Sequence, residues 1–244
     1  MIAPQDATTE TMVRALAYSI AALGAAAELD VDRTDDDRTF FGQEKDTLQS
    51  FFDELSSADQ ALTKHLLLKG QAHQSRVVIG DAVLDRGVRV AKARMKLELK
   101  TIMPDGADHV FPADVSEITD AERRVEPSLV EQVVARFGQV PDFPNKAALK
   151  SDLHGRATRQ AQNFVDRDAA EVTEAKLDGA VTRGIAKGSD ALYRLEKRLL
   201  ERFAREKVYV RAFFLDVAAG KKKHAAPEPA APEAPKAPGG GPTP

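Results

Sequence analysis

The sequence contains no cysteine and no tryptophan, and aromatic residues make up only 6% of its 244 residues. Without cysteine the chain forms neither a disulfide bond nor a thiolate metal site, and it has no cysteine nucleophile. No uninterrupted apolar run reaches about eighteen residues, so we predict no membrane-spanning segment. The apolar fraction of 43% still suffices for a buried core, which excludes a wholly disordered chain.

Proline is scarce in the body of the chain. Between residues 5 and 220 the prolines all lie between Pro104 and Pro144, and most of the others follow residue 226. Long proline-free stretches rich in Ala, Leu, Glu, Lys and Arg are what long helices require. The sequence therefore predicts a mainly α-helical protein, an elongated bundle or antiparallel coiled-coil-like packing of two long helices with shorter ones.

The pattern predicts a single helical domain over residues 1–220. The predicted helices cover residues 8–28, 40–55, 58–102, 127–138 and 145–217, with an irregular connector over 103–126. Ser56 or Ser57 is expected to cap the third helix, Gly138 to end the fourth and Asn145 to cap the last. Residues 221–244, rich in Pro and Ala and without large apolar side chains, predict a disordered tail.

Small and branched residues recur at helical spacing in both long helices. Gly80 and Gly87 lie seven residues apart, as do the successive members of the series Val83, Val90 and Leu97. Such repeats favour close helix–helix packing, although the alternation around Val90 leaves a pair of strands as an alternative. The predicted self-association residues are Gly80, Val83, Gly87, Val90, Leu97, Gly184, Gly188, Leu192, Leu195 and Leu199.

A search for catalytic and metal-binding motifs finds none. No histidine follows a glutamate by three residues, and neither an HExxH motif, a phosphate-binding loop nor a nucleophile elbow occurs. The acidic segment 30–38 fails the calcium-loop pattern, because Asp35 and Phe41 stand where Gly and Glu are required. We therefore predict no enzyme activity, no cofactor and no metal.

Charge is unevenly distributed along the chain. Residues 28–60 carry eleven acidic and three basic side chains, whereas residues 69–100 carry eight basic and three acidic ones. The basic stretch could face the acidic one, within the fold or across a subunit contact, or it could bind nucleic acid. The second possibility would use Arg76, Arg86, Arg89, Lys92, Arg94, Lys96 and Lys100. The sequence pI near 6.0 and the lack of aromatic residues in this stretch argue against it.

The sequence favours a cytoplasmic, non-enzymatic structural or adaptor protein of bacterial type. It would have protein partners, as a homo-oligomer or as a component of a larger assembly. A further alternative is an exported envelope protein in which residues 12–27 form a signal segment. Acidic residues before this segment and Tyr18 within it favour a buried helix instead.

Overall fold

The computed structural model describes residues 7–111 and 114–215, most of which are helical. The α-helices are Thr9–Leu29 (α1), Asp35–His65 (α2), Gln71–Glu98 (α3), Gly106–Val110 (α4), Val115–Thr119 (α5), Glu126–Arg136 (α6), Lys146–Arg202 (α7) and Lys207–Arg211 (α8). A π-helical turn, Leu66–Gly70, joins α2 to α3, and a 3-10 turn, Phe137–Gln139, follows α6. No strand occurs in the described ranges, so the mainly α-helical prediction is confirmed and the strand alternative is wrong. The predicted tail, 221–244, lies outside the described residues.

The chain divides into two compact units, whereas the sequence pattern predicts one domain. The terminal unit combines Met1–Leu55 with Gly184–Pro244, and the central unit is Ser56–Arg183. Helices α2 and α7 each contribute residues to both units.

Helix α2 begins and ends differently from the prediction. Thr34 caps its start: the Thr34 hydroxyl accepts a hydrogen bond from the Asp37 amide, and the Asp37 carboxylate accepts one from the Thr34 amide, both at 3.2 Å. The predicted break at Ser56 and Ser57 is wrong, since α2 is continuous to His65. No proline or glycine interrupts the helix there, and serine is tolerated in a helix interior.

The other corrections concern helix ends. Helix α3 ends at Glu98 instead of residue 102, and the connector over 103–126 contains α4 and α5. Pro127 lies in the first turn of α6, as predicted, but Gly138 falls in a 3-10 turn and does not adopt a positive φ. Asn145, directly before α7, has a φ of 63°. Helix α7 ends at Arg202, fifteen residues before the predicted end of the last helix.

An aromatic cluster in the terminal unit explains the early end of α7. The Phe203 ring stacks on Phe41 with centroids 5.6 Å apart, and Phe213 stacks on the same Phe41 ring at 5.6 Å. The Arg33 guanidinium lies 4.7 Å from the Phe203 ring centre and 4.6 Å from that of Tyr209. These contacts draw the chain back onto α2 in place of a further helical turn.

Helix α1 packs into the terminal unit through Met12, Leu16 and Leu23, none of which is exposed. It is also the one helix among the described residues that is long and apolar enough to cross a membrane. The core helix of a soluble protein meets the same length and composition criteria, as does an N-terminal signal.

The core of the central unit lies between α3, the short helices α4 to α6 and the first part of α7. Its completely buried side chains include Leu84, Met95, Val110, Val130, Phe137 of the 3-10 turn and Leu153. Burying apolar side chains of this size contributes about 1.5–3 kcal/mol each.

Helices α3 and α7 approach closely at Gly80. A Cβ atom added at Gly80 would lie 2.0 Å from Gln160 Oε1 and 2.7 Å from Asn163 Nδ2. Both amides are held in place, because Gln160 Nε2 donates to the Val77 carbonyl at 3.0 Å and Asn163 Nδ2 donates to the Arg76 carbonyl at 3.2 Å. The glycine is therefore required by packing.

We expect Gly80→Ala to lower the free energy of unfolding by about 1–3 kcal/mol, since the methyl group displaces two hydrogen-bonded amides. Gly155→Ala in α7 is the matched control, because its added Cβ would meet only Arg159 Nη2 at 3.8 Å. That change should stabilise by about 0.5–1 kcal/mol through helix propensity. Urea unfolding followed by circular dichroism measures both, and equal effects of the two substitutions would contradict the packing argument.

Candidate binding surface on helix α3

One side of α3 leaves apolar side chains in contact with solvent. Ile79, Val83, Val90 and Leu97 are 63%, 42%, 42% and 74% exposed. Their spacing of four and seven residues places them on one narrow strip of the helix, together with the exposed Arg86. We call these five residues the outer face of α3. An aligned apolar strip differs from scattered surface residues because it offers a continuous surface to a partner helix.

The structure separates the predicted self-association residues into two groups. Val83, Val90 and Leu97 belong to the outer face, whereas the other seven pack inside the chain: Gly80, Gly87, Gly184, Gly188, Leu192, Leu195 and Leu199. An added Cβ would lie 2.6 Å from Arg156 Cδ at Gly87 and 3.0 Å from Leu55 Cδ1 at Gly184. These seven positions are thus occupied by intramolecular packing and are not open to a second copy.

At Gly188 an added Cβ would meet the side chains of Met12 and Leu16 at 3.1 and 3.2 Å. The three leucines of the seam are at most 1% exposed. Helix α1 therefore covers α7 at Gly188, and the leucines of the seam are buried within the terminal unit. Ile79 was absent from the predicted set, although its position four residues before Val83 gives the signal that would have found it.

Several carboxylates of the acidic segment 28–60 form ion pairs with basic residues of α7. Glu54 pairs with Lys187 at 2.5 Å, Glu44 pairs with Arg198, and both Asp36 and Asp37 pair with Arg202. Burial raises the pKa of Glu44, and the nearby Arg198 lowers it in part. The predicted neutralisation of this segment by the basic stretch of α3 is not found among the described residues.

The cations of α3 fall into two classes. Lys92 and Lys96 lie 3.6 and 3.9 Å from Asp108, and Arg89 contacts the Thr119 hydroxyl at 3.5 Å. Like Arg89, the remaining four predicted nucleic-acid contacts form no ion pair with a described carboxylate: Arg76, Arg86 and Arg94 on α3, and Lys100 just after it. The exposed side of α3 is consequently both apolar and positively charged.

An open groove of about 590 Å³ separates the exposed part of α3 from α7 within the central unit. Its lining combines three arginines with apolar and amide side chains: Ser75, Arg76, Ile79, Gly80, Val83, Arg156, Arg159, Gln160 and Asn163. Arg156 and Arg159 were not singled out from the sequence, since only the antiparallel packing of α7 on α3 brings them beside Arg76. The groove presents guanidinium groups to solvent, and anions are the ligands that such groups bind.

A second cluster in the central unit is buried and acidic. Glu126, at the start of α6, is 1% exposed, and its Oε1 atom has no hydrogen-bond partner, as is true of Asp85 Oδ1. Burial, followed by the proximity of Asp85 and Asp81, raises the pKa of Glu126 to about 9. The Arg123 guanidinium pairs with Asp81 at 3.0 Å. Glu126 is therefore protonated at neutral pH and can donate a hydrogen bond to Asp85.

Two of the described histidines contact groups other than a metal site. His154 Nδ1 lies 2.8 Å from Glu131, and His65 Nε2 lies 3.0 Å from the Ala170 carbonyl. Within residues 7–111 and 114–215, no group of three or more histidine, aspartate or glutamate side chains is placed to hold a metal ion.

The buried acid makes stability depend on pH. Because the pKa of Glu126 is raised from 4.5 to about 9, the folded state holds a proton that the unfolded state releases between these values. Its contribution to stability is complete below about pH 4.5 and is lost as the pH rises towards 9. We expect Glu126→Gln, which donates to Asp85 at any pH, to raise the melting temperature at pH 8.5 by a few degrees and to change it little at pH 5.

Circular dichroism melting curves between pH 5 and pH 9 measure this difference. Glu117→Gln, at an exposed glutamate of α5, is the control and should follow the unmodified protein at every pH. An unchanged pH dependence in Glu126→Gln would show that Glu126 is ionised in the folded protein.

Comparison of the chain with protein-family models, with curated proteins and with solved structures finds no match. The outer face of α3 and the adjoining arginine groove are exposed surfaces whose composition suits binding.

Proposed function

We propose that this protein is a non-enzymatic structural or adaptor protein whose copies associate head to tail through the outer face of α3. The observation that carries the proposal is the strip of four exposed apolar side chains among cations without described acidic partners. Water contact with an aligned strip is unfavourable by about 25 cal/mol for each Å² of apolar surface. A partner helix or loop with acidic residues around an apolar centre would relieve both the apolar exposure and the positive charge.

The same chain offers a surface of this kind. In the terminal unit, Leu29 and Val31 are 76% and 77% exposed, at the end of α1 and in the turn that follows. Acidic side chains flank them, including the exposed Glu28 and Asp32. We call residues 28–32 the acidic turn. Its charge and its two exposed apolar side chains complement the outer face of α3 in a second copy.

The contact would join two different surfaces. Pairing the outer face with itself would bring Arg86 and Arg94 of two copies together. Neither has an acidic partner among the described residues, so this contact is unfavourable. A contact between the outer face and the acidic turn is heterologous, so repeated association gives a closed ring or an open chain. Such growth is what a structural component of a larger assembly requires.

The non-enzymatic and cytoplasmic parts of the proposal have separate support. The arginine groove and the outer face contain no histidine, carboxylate or lysine that could serve as a general base beside a nucleophile. Helix α1 contributes Met12 and Leu16 to the packing around Gly188, and removal of a signal over residues 12–27 would delete both.

Size-exclusion chromatography with light scattering tests self-association. We expect species larger than the 26.5 kDa chain at micromolar concentration, and weaker association at high salt because charges are screened. Leu97→Glu should disable the outer face, and Val31→Arg should disable the acidic turn. Each variant alone should be monomeric, but an equimolar mixture should form a heterodimer, since each partner keeps one intact surface.

Val172→Glu is the matched control, because Val172 is 56% exposed on α7 and belongs to neither surface. It should associate like the unmodified chain. A strict monomer at all concentrations, or a mixture of the two variants that stays monomeric, would overturn the head-to-tail proposal.

Nucleic-acid binding is the second candidate, favoured by cations of α3 and of the turn after it that form no ion pair with a described carboxylate. Of the predicted contacts, Arg76, Arg86, Arg89, Arg94 and Lys100 form no ion pair with a described carboxylate. We expect fluorescence anisotropy with a labelled DNA duplex to show salt-sensitive binding if this function holds. The double variant Arg86→Gln and Arg94→Gln should then reduce the salt dependence by about two phosphate contacts. No binding at low salt would end this candidate.

A further inference from the structure

We propose that the groove between α3 and α7 binds a phosphate monoester, with Arg76, Arg156 and Arg159 around the phosphate and the organic group against Ile79 and Val83. This inference goes beyond the proposed self-association. It concerns a small anionic ligand held by two arginines of α7 that lie outside the outer face of α3. Ile79 and Val83 belong to both the groove and the outer face, so the ligand and a second copy would compete for them.

The side chains of the groove carry a net positive charge. Arg156 Nε pairs with Asp152 at 2.8 Å, so one of the three guanidinium charges has an acidic partner. Neither Arg76 nor Arg159 forms an ion pair with a carboxylate in the described residues, although Arg159 Nε donates to the Gly155 carbonyl at 3.0 Å. The four side chains together carry a charge of +2. A phosphate monoester carries about −1.5 to −2 at pH 7, whereas a carboxylate carries −1.

Hydrogen bonds fix the side chains and the backbone that form the floor of the groove. Arg156 Nη1 donates to the Val83 carbonyl at 3.0 Å while its Nε binds Asp152, so this guanidinium is fixed at both ends. Gln160 Nε2 donates to Val77, and Asn163 Nδ2 donates both to the Arg76 carbonyl and to Gln160 Oε1. These bonds hold the α3 backbone below the groove. A planar guanidinium held in this way binds phosphate oxygens with little further loss of conformational freedom.

The groove is larger than a phosphate group and has an apolar wall. Its volume of about 590 Å³ is larger than a bare phosphate requires and lies within the usual range of small-molecule sites. Ile79 and Val83 are 63% and 42% exposed along the same groove. An apolar or aromatic group attached to the phosphate would cover them, which distinguishes an organic phosphate from an inorganic one.

Isothermal titration of the full chain with phenyl phosphate, inorganic phosphate and benzoate, all at equal ionic strength, tests the proposal. We expect saturable binding, tightest for phenyl phosphate, weaker for inorganic phosphate and weakest for benzoate. Arg159→Gln and Arg76→Gln should each weaken phenyl phosphate binding about tenfold or more, because each removes charged hydrogen bonds. Val83→Ser should reduce the advantage of phenyl phosphate over inorganic phosphate.

Arg183→Gln is the matched control, since Arg183 is an exposed arginine of α7 that does not line the groove. It should bind phenyl phosphate like the unmodified chain, and circular dichroism should show all variants to be folded. Equal loss of affinity in Arg183→Gln, absence of saturation in the millimolar range, or benzoate binding as tightly as phenyl phosphate would each overturn the proposal. A single-stranded oligonucleotide that binds while phenyl phosphate does not would also overturn it, in favour of nucleic-acid binding.

Discussion

The hydrogen bonds from Gln160 and Asn163 of α7 to the backbone of α3 determine how the central unit is built. They join two helices directly through side-chain amides and backbone carbonyls, at Val77 and Arg76. Room for them exists only because Gly80 has no side chain. The same contact directs Leu84 and Met95 into the core. It therefore decides which side of α3 is covered by its own chain and which side remains open.

In the terminal unit, Arg33 contacts both carboxylates and aromatic rings. It pairs with Asp30 at 2.8 Å and with Glu206, and it lies over the rings of Phe203 and Tyr209. The Tyr209 hydroxyl donates to Asp30 at 3.0 Å, and burial together with this carboxylate raises the pKa of Tyr209 to about 12. One side chain thus ties the turn after α1 to the segment that follows α7.

Local signals in the sequence predicted the fold class, the start of α6 at Pro127 and the long α7. Contacts between distant residues decided most of what was missed. Nothing near Phe203 breaks a helix by itself, and α7 stops there because of Phe41 and Arg33, which are remote in sequence. A capping residue such as Ser56 has the same local signature inside a helix as at its start, so the false break could not be recognised.

The candidate surface illustrates the same limit. The seven-residue repeat of Val83, Val90 and Leu97 was visible in the sequence, and so was that of the glycines. A repeat shows that residues share a side of a helix, but it does not show whether the chain covers that side itself. The glycines proved to be covered and the valines open. The arginine groove could not be predicted from the sequence, because Arg76 and Arg159 come together only through the antiparallel packing of α3 and α7.

The π-helical turn Leu66–Gly70 changes the heptad frame between α2 and α3. Leu62 is half-buried and Val77 is buried, yet they lie fifteen residues apart, one more than two heptads. The wider turn takes up the surplus residue, since its hydrogen bonds span five residues instead of four. The heptad frame of α2 is therefore shifted by one residue at this turn, and a frame continued unchanged through Leu66–Gly70 would assign the positions of α3 to the wrong side.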